Sequence, residues 1–315
     1  MARRAAKFPR KAKNLTPPES TRNTKAAKLH PEPGADSAST STPLLWLTVL
    51  SLDAPAVAVL WQLLFARSFH AQISAGITVL LALVVWLIYV ADRLLDTLKV
   101  PAQGAEPTRH LFYRRYLWAF LLPFTAVFLL AAWMSLTRLD ETTFRYGAVI
   151  LLAVGVYFLA VHLLSPGREW LPKEMLVGVL FALGTCFPVL EKTTPGDLAW
   201  LAPYLVFTML CWINCAVIEY EEWKRLRHRQ SGTPHPWTIW MGRRFLWMTF
   251  AVALLLACLI ASGFGRSHRE LLTAELLSAL AFALIRYKDK ALSIDQFRVL
   301  VDLALFTPIF FLIFR

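Results

Sequence analysis

Leu87-Ile-Tyr-Val-Ala-Asp-Arg-Leu-Leu-Asp96 closes a long apolar run on two carboxylates, Asp92 and Asp96. A second stretch, Trp212–Trp223, ends its own apolar run on Glu219, Glu221 and Glu222. Apolar runs of this length are read as membrane-crossing helices, because backbone polar groups must be satisfied internally in lipid. Acidic clusters at the ends of two such helices are costly to keep near hydrocarbon. They mark the place from which the rest of the chain is read.

Composition supports this class. The chain has 315 residues, is 57% hydrophobic and has a mean hydropathy of +0.50. That is too apolar for an ordinary soluble domain. The basic residues behind the formal charge of +12 are concentrated in a tail and alternate loops, a pattern of membrane topology rather than of nucleic-acid binding. Cys186, Cys211, Cys215 and Cys258 all lie in apolar runs. They read as small hydrophobes rather than as a disulfide framework or a metal site.

Residues 1–42 show no hydrophobic periodicity and are rich in Lys, Arg, Pro, Ser and Thr. We expect a disordered basic tail that lies near anionic headgroups. Nine apolar runs follow within residues 43–315: Pro43–Ala66, Gln72–Ala91, Tyr116–Ser135, Arg145–Leu164, Pro172–Leu190, Trp200–Glu219, Met241–Gly263, Leu271–Ile285 and Phe297–Phe314. The expected fold is all-α, a polytopic bundle of about nine transmembrane helices. Placing the tail and every second loop on one side collects 26 of the 33 Lys and Arg residues there. The positive-inside rule then puts the N-terminus and both acidic clusters in the cytoplasm. The expected location is a bacterial inner membrane.

Asp92 and Asp96 share a helix face at i, i+4. Carboxylates at that spacing can share a hard cation such as Mg²⁺, which bridges a few carboxylates to phosphate oxygens. Glu219 and Glu222 are i, i+3 and follow Asn214, an amide inside an apolar run. The plain alternative for both clusters is a helix end that reaches solvent, balanced by Arg93 and by the basic run from Lys224 to Arg229.

These residues resemble the UbiA superfamily of intramembrane prenyltransferases. Ala91-Asp92-Arg93-Leu94-Leu95-Asp96 resembles the latter part of that family's first Asp-rich motif. Ala216-Val217-Ile218-Glu219-Tyr220-Glu221-Glu222 is similar to its second, with Glu for Asp. Leu171-Pro172-Lys173-Glu174-Met175-Leu176-Val177-Gly178 is similar to a Leu-Pro…Gly stretch that opens the family's fifth helix. The departures are Ile88 and Tyr89, where the family has Asn-Asp, and Trp223, where a further acid often stands.

The resemblance implies a Mg²⁺-dependent transfer of a prenyl group from a prenyl diphosphate to an aromatic or other lipophilic acceptor within the lipid bilayer. It implies Asp92 and Asp96 on one metal ion and Glu219 and Glu222 on a second. Arg93, Arg109, Arg168 and Lys173 would clamp the diphosphate, with Asn214 beside the substrate. Two other readings stand beside this one. One is a related isoprenoid cyclase, which needs an acid and no diphosphate. The other is a non-catalytic scaffold or transporter, in which Asp53, Asn214 and Asp302 form a path through the membrane. His162, near the end of the fourth run, reads as a packing histidine or an acceptor base.

Overall fold

The computed structural model describes residues 50–99, 117–164, 172–193, 198–226, 233–263 and 268–313, without the side chains of 96–99, 117–120, 163–164 and 226. The basic tail lies outside these residues. The helices are α1 (Asp53–Ser68), α2 (Ala75–Lys99), α3 (Leu117–Arg138), α4 (Glu141–Leu159), α5 (Lys173–Leu190), α6 (Leu201–Leu226), α7 (Pro236–Ala261), α8 (Arg269–Tyr287), α9 (Ile294–Leu303) and α10 (Pro308–Ile313). A single π turn, Ala160–Leu164, extends α4. No strand occurs among the described residues.

Several prolines mark where helices begin. Pro55, Pro203, Pro236 and Pro308 each fall in a first turn, and Pro172 immediately precedes α5. In the first turn the missing N–H has no intrahelical partner to lose. Asp140 caps α4 by accepting from the Thr143 N–H at 3.2 Å, and the Thr143 hydroxyl lies 2.7 Å from its other oxygen. Those two bonds hold the Asp140 carboxyl below its ordinary pKa, the hydroxyl contributing most. Ser293 and Gln296 form a reciprocal capping box at the start of α9.

Among the described residues, seven segments are long and apolar enough to cross a membrane: Ala75–Leu95, Leu121–Arg138, Glu141–His162, Lys173–Leu190, Leu201–Arg225, Pro236–Ala261 and Ile294–Ile313. The chain is a multi-pass membrane protein. The remaining two of the nine apolar runs are helical but fall short of that mark. The described part of the first run is the 16-residue α1. The eighth is the 19-residue α8, which carries Glu270, Glu275 and Arg286. Both pack into the core nonetheless, through Trp61 and Phe65 on α1 and Leu271, Leu272 and Phe282 on α8.

The ninth run, expected as one helix, is broken between Leu303 and Pro308. Pro308 cannot continue the ladder of α9, and the freed groups find partners inside the bundle. The Leu305 carbonyl accepts from the Trp61 indole at 2.8 Å. The Thr307 hydroxyl donates to the Ala274 carbonyl at 2.8 Å and lies 2.8 Å from the Ser278 hydroxyl. Irregular backbone at membrane depth is tolerated under such cover.

Between lipid-embedded helices the hydrophobic effect is nearly silent, so close approach and hydrogen bonds carry the packing. Gly178 of α5 provides the closest approach at the site. A Cβ there would lie 2.7 Å from the Trp212 amide nitrogen of α6. Gly242 does the same for α7, where a Cβ would lie 2.1 Å from the Tyr220 ring. Around this centre, α3 and α4 turn Leu122, Leu136 and Leu152 outward, as lipid-facing surfaces do.

Candidate functional site

α1, α2, α4, α5, α6 and α9 surround a polar chamber of about 220 Å³. Among the described residues, five carboxylates line it, Asp53, Asp92, Glu174, Glu219 and Asp302, against three cations, Arg93, Lys173 and Arg298. Both acidic stretches therefore contribute to one cavity, Asp92 from the end of α2 and Glu219 from the end of α6.

Helical rotation decides which acids reach it. Glu219 and Glu221 are about 200° apart on α6, so they point to different neighbours. Glu219 faces the chamber, 3.5 Å from Lys173 Nζ. Glu221 is only 1% exposed and turns toward α8, pairing with Arg286 at 2.7 Å, Lys224 at 3.1 Å and Arg225 at 3.5 Å. Glu222 does not line the chamber; it pairs with Arg298 Nη1 at 2.5 Å, and Arg298 does line it. The second acidic stretch is thus divided among the chamber, a bundle-locking ion cluster and a support for Arg298.

Of the other anticipated residues, Arg93, Lys173 and Asn214 line the chamber. Asn214 donates from Nδ2 to Asp302 Oδ1 and to the Val301 carbonyl, each at 3.2 Å, which ties α9 to α6. Asp96 lies in the last turn of α2, and its side chain falls outside the described ones. Arg109 and Arg168 lie outside the described residues altogether. His162 sits in the π turn with Nε2 3.3 Å from Asp92 Oδ1, so it is a partner of the site rather than a packing residue alone. Single π turns are frequent at functional sites.

Sequence reasoning passed over Arg298, which it read as a topology-setting charge. It also passed over Glu174, which accepts from the Thr238 hydroxyl at 2.6 Å. No local signal identified either residue, because their partners lie on other helices.

A second cavity of about 310 Å³ adjoins the first. It is a slot between α2 and α4 floored by α5, with a lining almost wholly apolar from Ile77 through Leu81, Val85 and Ile88. Tyr89, Tyr157, Val177 and Phe181 line both cavities. From Ile77 to Tyr89 the slot follows about 18 Å of helix rise. The two cavities thus set a charged end beside a long apolar one.

Among the described residues, no three His, Cys, Asp or Glu side chains come together closely enough to hold a metal ion by themselves. Mg²⁺ does not need such a cage: it is usually bound by one or two carboxylates together with substrate phosphate oxygens and waters. Asp92, whose side chain is 43% exposed, and Glu219 on the facing helix offer hard oxygen donors of that kind. Their chemistry fits the ion. Compared with protein-family models, with characterised proteins and with solved structures, the chain matches none.

Proposed function

We propose that this membrane protein is a UbiA-like prenyltransferase. In this reading it moves a prenyl group from a prenyl diphosphate to a lipophilic acceptor, such as an aromatic ring, inside the bilayer. The observation that carries the reading is the junction of the two cavities. A chamber rich in carboxylates and cations shares Tyr89, Tyr157, Val177 and Phe181 with an apolar slot. A prenyl diphosphate has the same two-part character.

In this reading Arg93, Lys173 and Arg298 clamp the diphosphate, guanidinium groups being suited to bidentate phosphate contacts. Asp92 and Glu219, with Asp96, would hold Mg²⁺, which when bound supplies charge neutralisation for the leaving group. The isoprenoid tail lies in the slot, so the allylic carbon falls at the tyrosine boundary. The allylic C–O bond breaks and its electron pair leaves with the diphosphate. The π faces of Tyr157 and Phe181 stabilise the positive charge left on the allyl group. The acceptor's π electrons form the new C–C bond, and a chamber carboxylate takes the proton that the acceptor loses. His162 keeps the Asp92 carboxylate oriented.

The test is a transfer assay. Purified protein in lipid nanodiscs is incubated with a radiolabelled prenyl diphosphate, Mg²⁺ and a panel of lipophilic phenols. Label in an acceptor product, dependent on Mg²⁺ and lost in Asp92→Asn, is the expected result. A folded protein that leaves every donor intact, with every acceptor, overturns the reading.

A further inference from the structure

The chamber has two levels. Tyr89 and Arg93 are four residues apart on α2, Cys215 and Glu219 on α6, and Arg298 and Asp302 on α9, and all six line the chamber. Four residues of helix are about 6 Å of rise. The outer level joins the ends of α2 and α6 to the starts of α5 and α9, through Lys173 with Glu219 at 3.5 Å and Arg298 with Glu222. It holds Asp92, Glu219 and the chamber cations Arg93, Lys173 and Arg298. About one helical turn inward lie Tyr89, Asn214 and Asp302, with no cation beside them among the described residues. The 3.2 Å bond from Asn214 to Asp302 joins α6 to α9 at this inner level. Asp53, at the start of α1, lines the same chamber and is within electrostatic range of both Asp302 and Tyr89.

The outer carboxylates are engaged and the inner ones are not. His162 lies 3.3 Å from Asp92, Lys173 holds Glu219, and Glu174 accepts from the Thr238 hydroxyl at 2.6 Å with Lys173 3.9 Å from its other oxygen. Asp53 is 7% exposed and accepts on Oδ1 from the N–H of its own neighbour Ala54, at 3.0 Å. Asp302 accepts on Oδ1 from the neutral Asn214 amide, and among the described residues its Oδ2 accepts no hydrogen bond. Arg298 and Arg93 act on Asp302 electrostatically from the outer level. Carboxylates held inside a bundle are completed by a hydrogen-bond donor or a proton. Neither inner carboxylate has that second partner within the protein.

We propose that the inner level is the acceptor site of the transfer reaction, and that Asp302 is the base that takes the acceptor's proton. This rests on the prenyl-transfer reading. The level takes a phenol, whose hydroxyl donates to Asp53 and whose ring turns a carbon toward the allylic carbon at the Tyr89 boundary. The C–O bond to the diphosphate breaks and its electron pair leaves with the diphosphate. The π electrons of the ring form the new C–C bond. The ring C–H bond at that carbon then breaks, its electron pair restores the aromatic ring, and the proton goes to Oδ2 of Asp302. Protonation leaves one negative charge at the inner level in place of two. Asn214 holds Oδ1, so the second oxygen stays available to the ring. The separation of the levels keeps this carboxylate apart from Asp92 and Glu219, which the Mg²⁺ would occupy.

The test uses the full-length protein in nanodiscs with a radiolabelled prenyl diphosphate, Mg²⁺ and the phenol that serves best in the transfer assay. Asp302→Asn should lower kcat about 100-fold or more, the share of a positioned general base, and keep the rise in Tm that donor and Mg²⁺ produce together. Formate should restore part of the turnover to Asp302→Ala. Transfer undiminished in Asp302→Asn overturns the proposal and leaves the prenyl-transfer reading standing. Loss of donor binding in step with turnover also overturns it, since Asp302 would then serve the diphosphate or the fold. A folded wild type that transfers no label to any phenol overturns both. Should the variants not fold, photolabelling of the wild type by an azidophenol decides. Label on α1 and α9 is expected, and label confined to other helices overturns the proposal.

Discussion

Arg298 of α9 is held by Glu222 of α6 through an ion pair of 2.5 Å, and only the arginine lines the chamber. The carboxylate therefore positions the guanidinium rather than facing the chamber itself. Both side chains are largely buried, at 12% and 11% exposure, so the pair is only weakly screened by salt.

Arg298→Ala should weaken binding of a prenyl diphosphate about tenfold or more, the loss expected for a hydrogen bond to a charged group at 1.5–3 kcal/mol. Glu222→Gln should weaken it less, because the guanidinium remains but is no longer held. Titration calorimetry with a non-hydrolysable prenyl diphosphate analogue measures both. Equal losses in the two variants would count against the positioning role of Glu222.

Gly147 and Gly184 line the slot, and a Cβ at either would meet nothing within 4 Å. Gly184→Phe should therefore fold and fill the slot. The expected outcome is discrimination against long-chain donors, with short-chain binding retained. Competition between prenyl diphosphates of different chain length reads this directly. An unchanged chain-length preference would place the tail elsewhere.

Gly178 behaves in the opposite way. A Cβ there would lie 2.7 Å from backbone of α6, and backbone cannot rotate aside as a side chain does. Gly178→Ala should cost about 1–3 kcal/mol by overpacking and distort the chamber that Gly178 lines. Thermal unfolding in detergent measures the loss.

Much of this architecture was legible in the sequence. Helices occupy the apolar runs because length and hydropathy determine what can cross lipid. Asp92 and Glu219 were legible because each ends such a run. The division of Glu219, Glu221 and Glu222 among three neighbours was not. It depends on how α6 is rotated against α8 and α9, and a single sequence carries no record of those contacts. The break before Pro308 was half legible: proline announces it, but the partners that make it tolerable, Trp61 for the Leu305 carbonyl and Ala274 and Ser278 for Thr307, lie on distant helices. Arg298 was hidden because a basic residue near a helix end looks the same whether it sets topology or lines a cavity.

The α4 cap predicts a pH effect at the end of the bundle away from the chamber. Asp140 has its pKa lowered by its bonds to Thr143. Its contribution is thus present above the unfolded-state carboxylate pKa and is lost as pH falls through the lower folded value. Asp140→Ala should cost about 1 kcal/mol at neutral pH, as lost N-caps do, and little at the acid limit. Unfolding curves of the two proteins should converge on acidification.

In the proposed reading the chamber and slot together bind a prenyl diphosphate with Mg²⁺. The most direct measurement is thermal stabilisation of the purified protein by a long-chain prenyl diphosphate, with and without Mg²⁺, for wild type and for Asp92→Asn/Glu219→Gln. A ligand that binds the folded state raises its apparent stability by mass action. The expected result is a rise in Tm that requires both donor and Mg²⁺ and is absent from the double variant. A well-folded wild type whose Tm is indifferent to donor and Mg²⁺ together would contradict it.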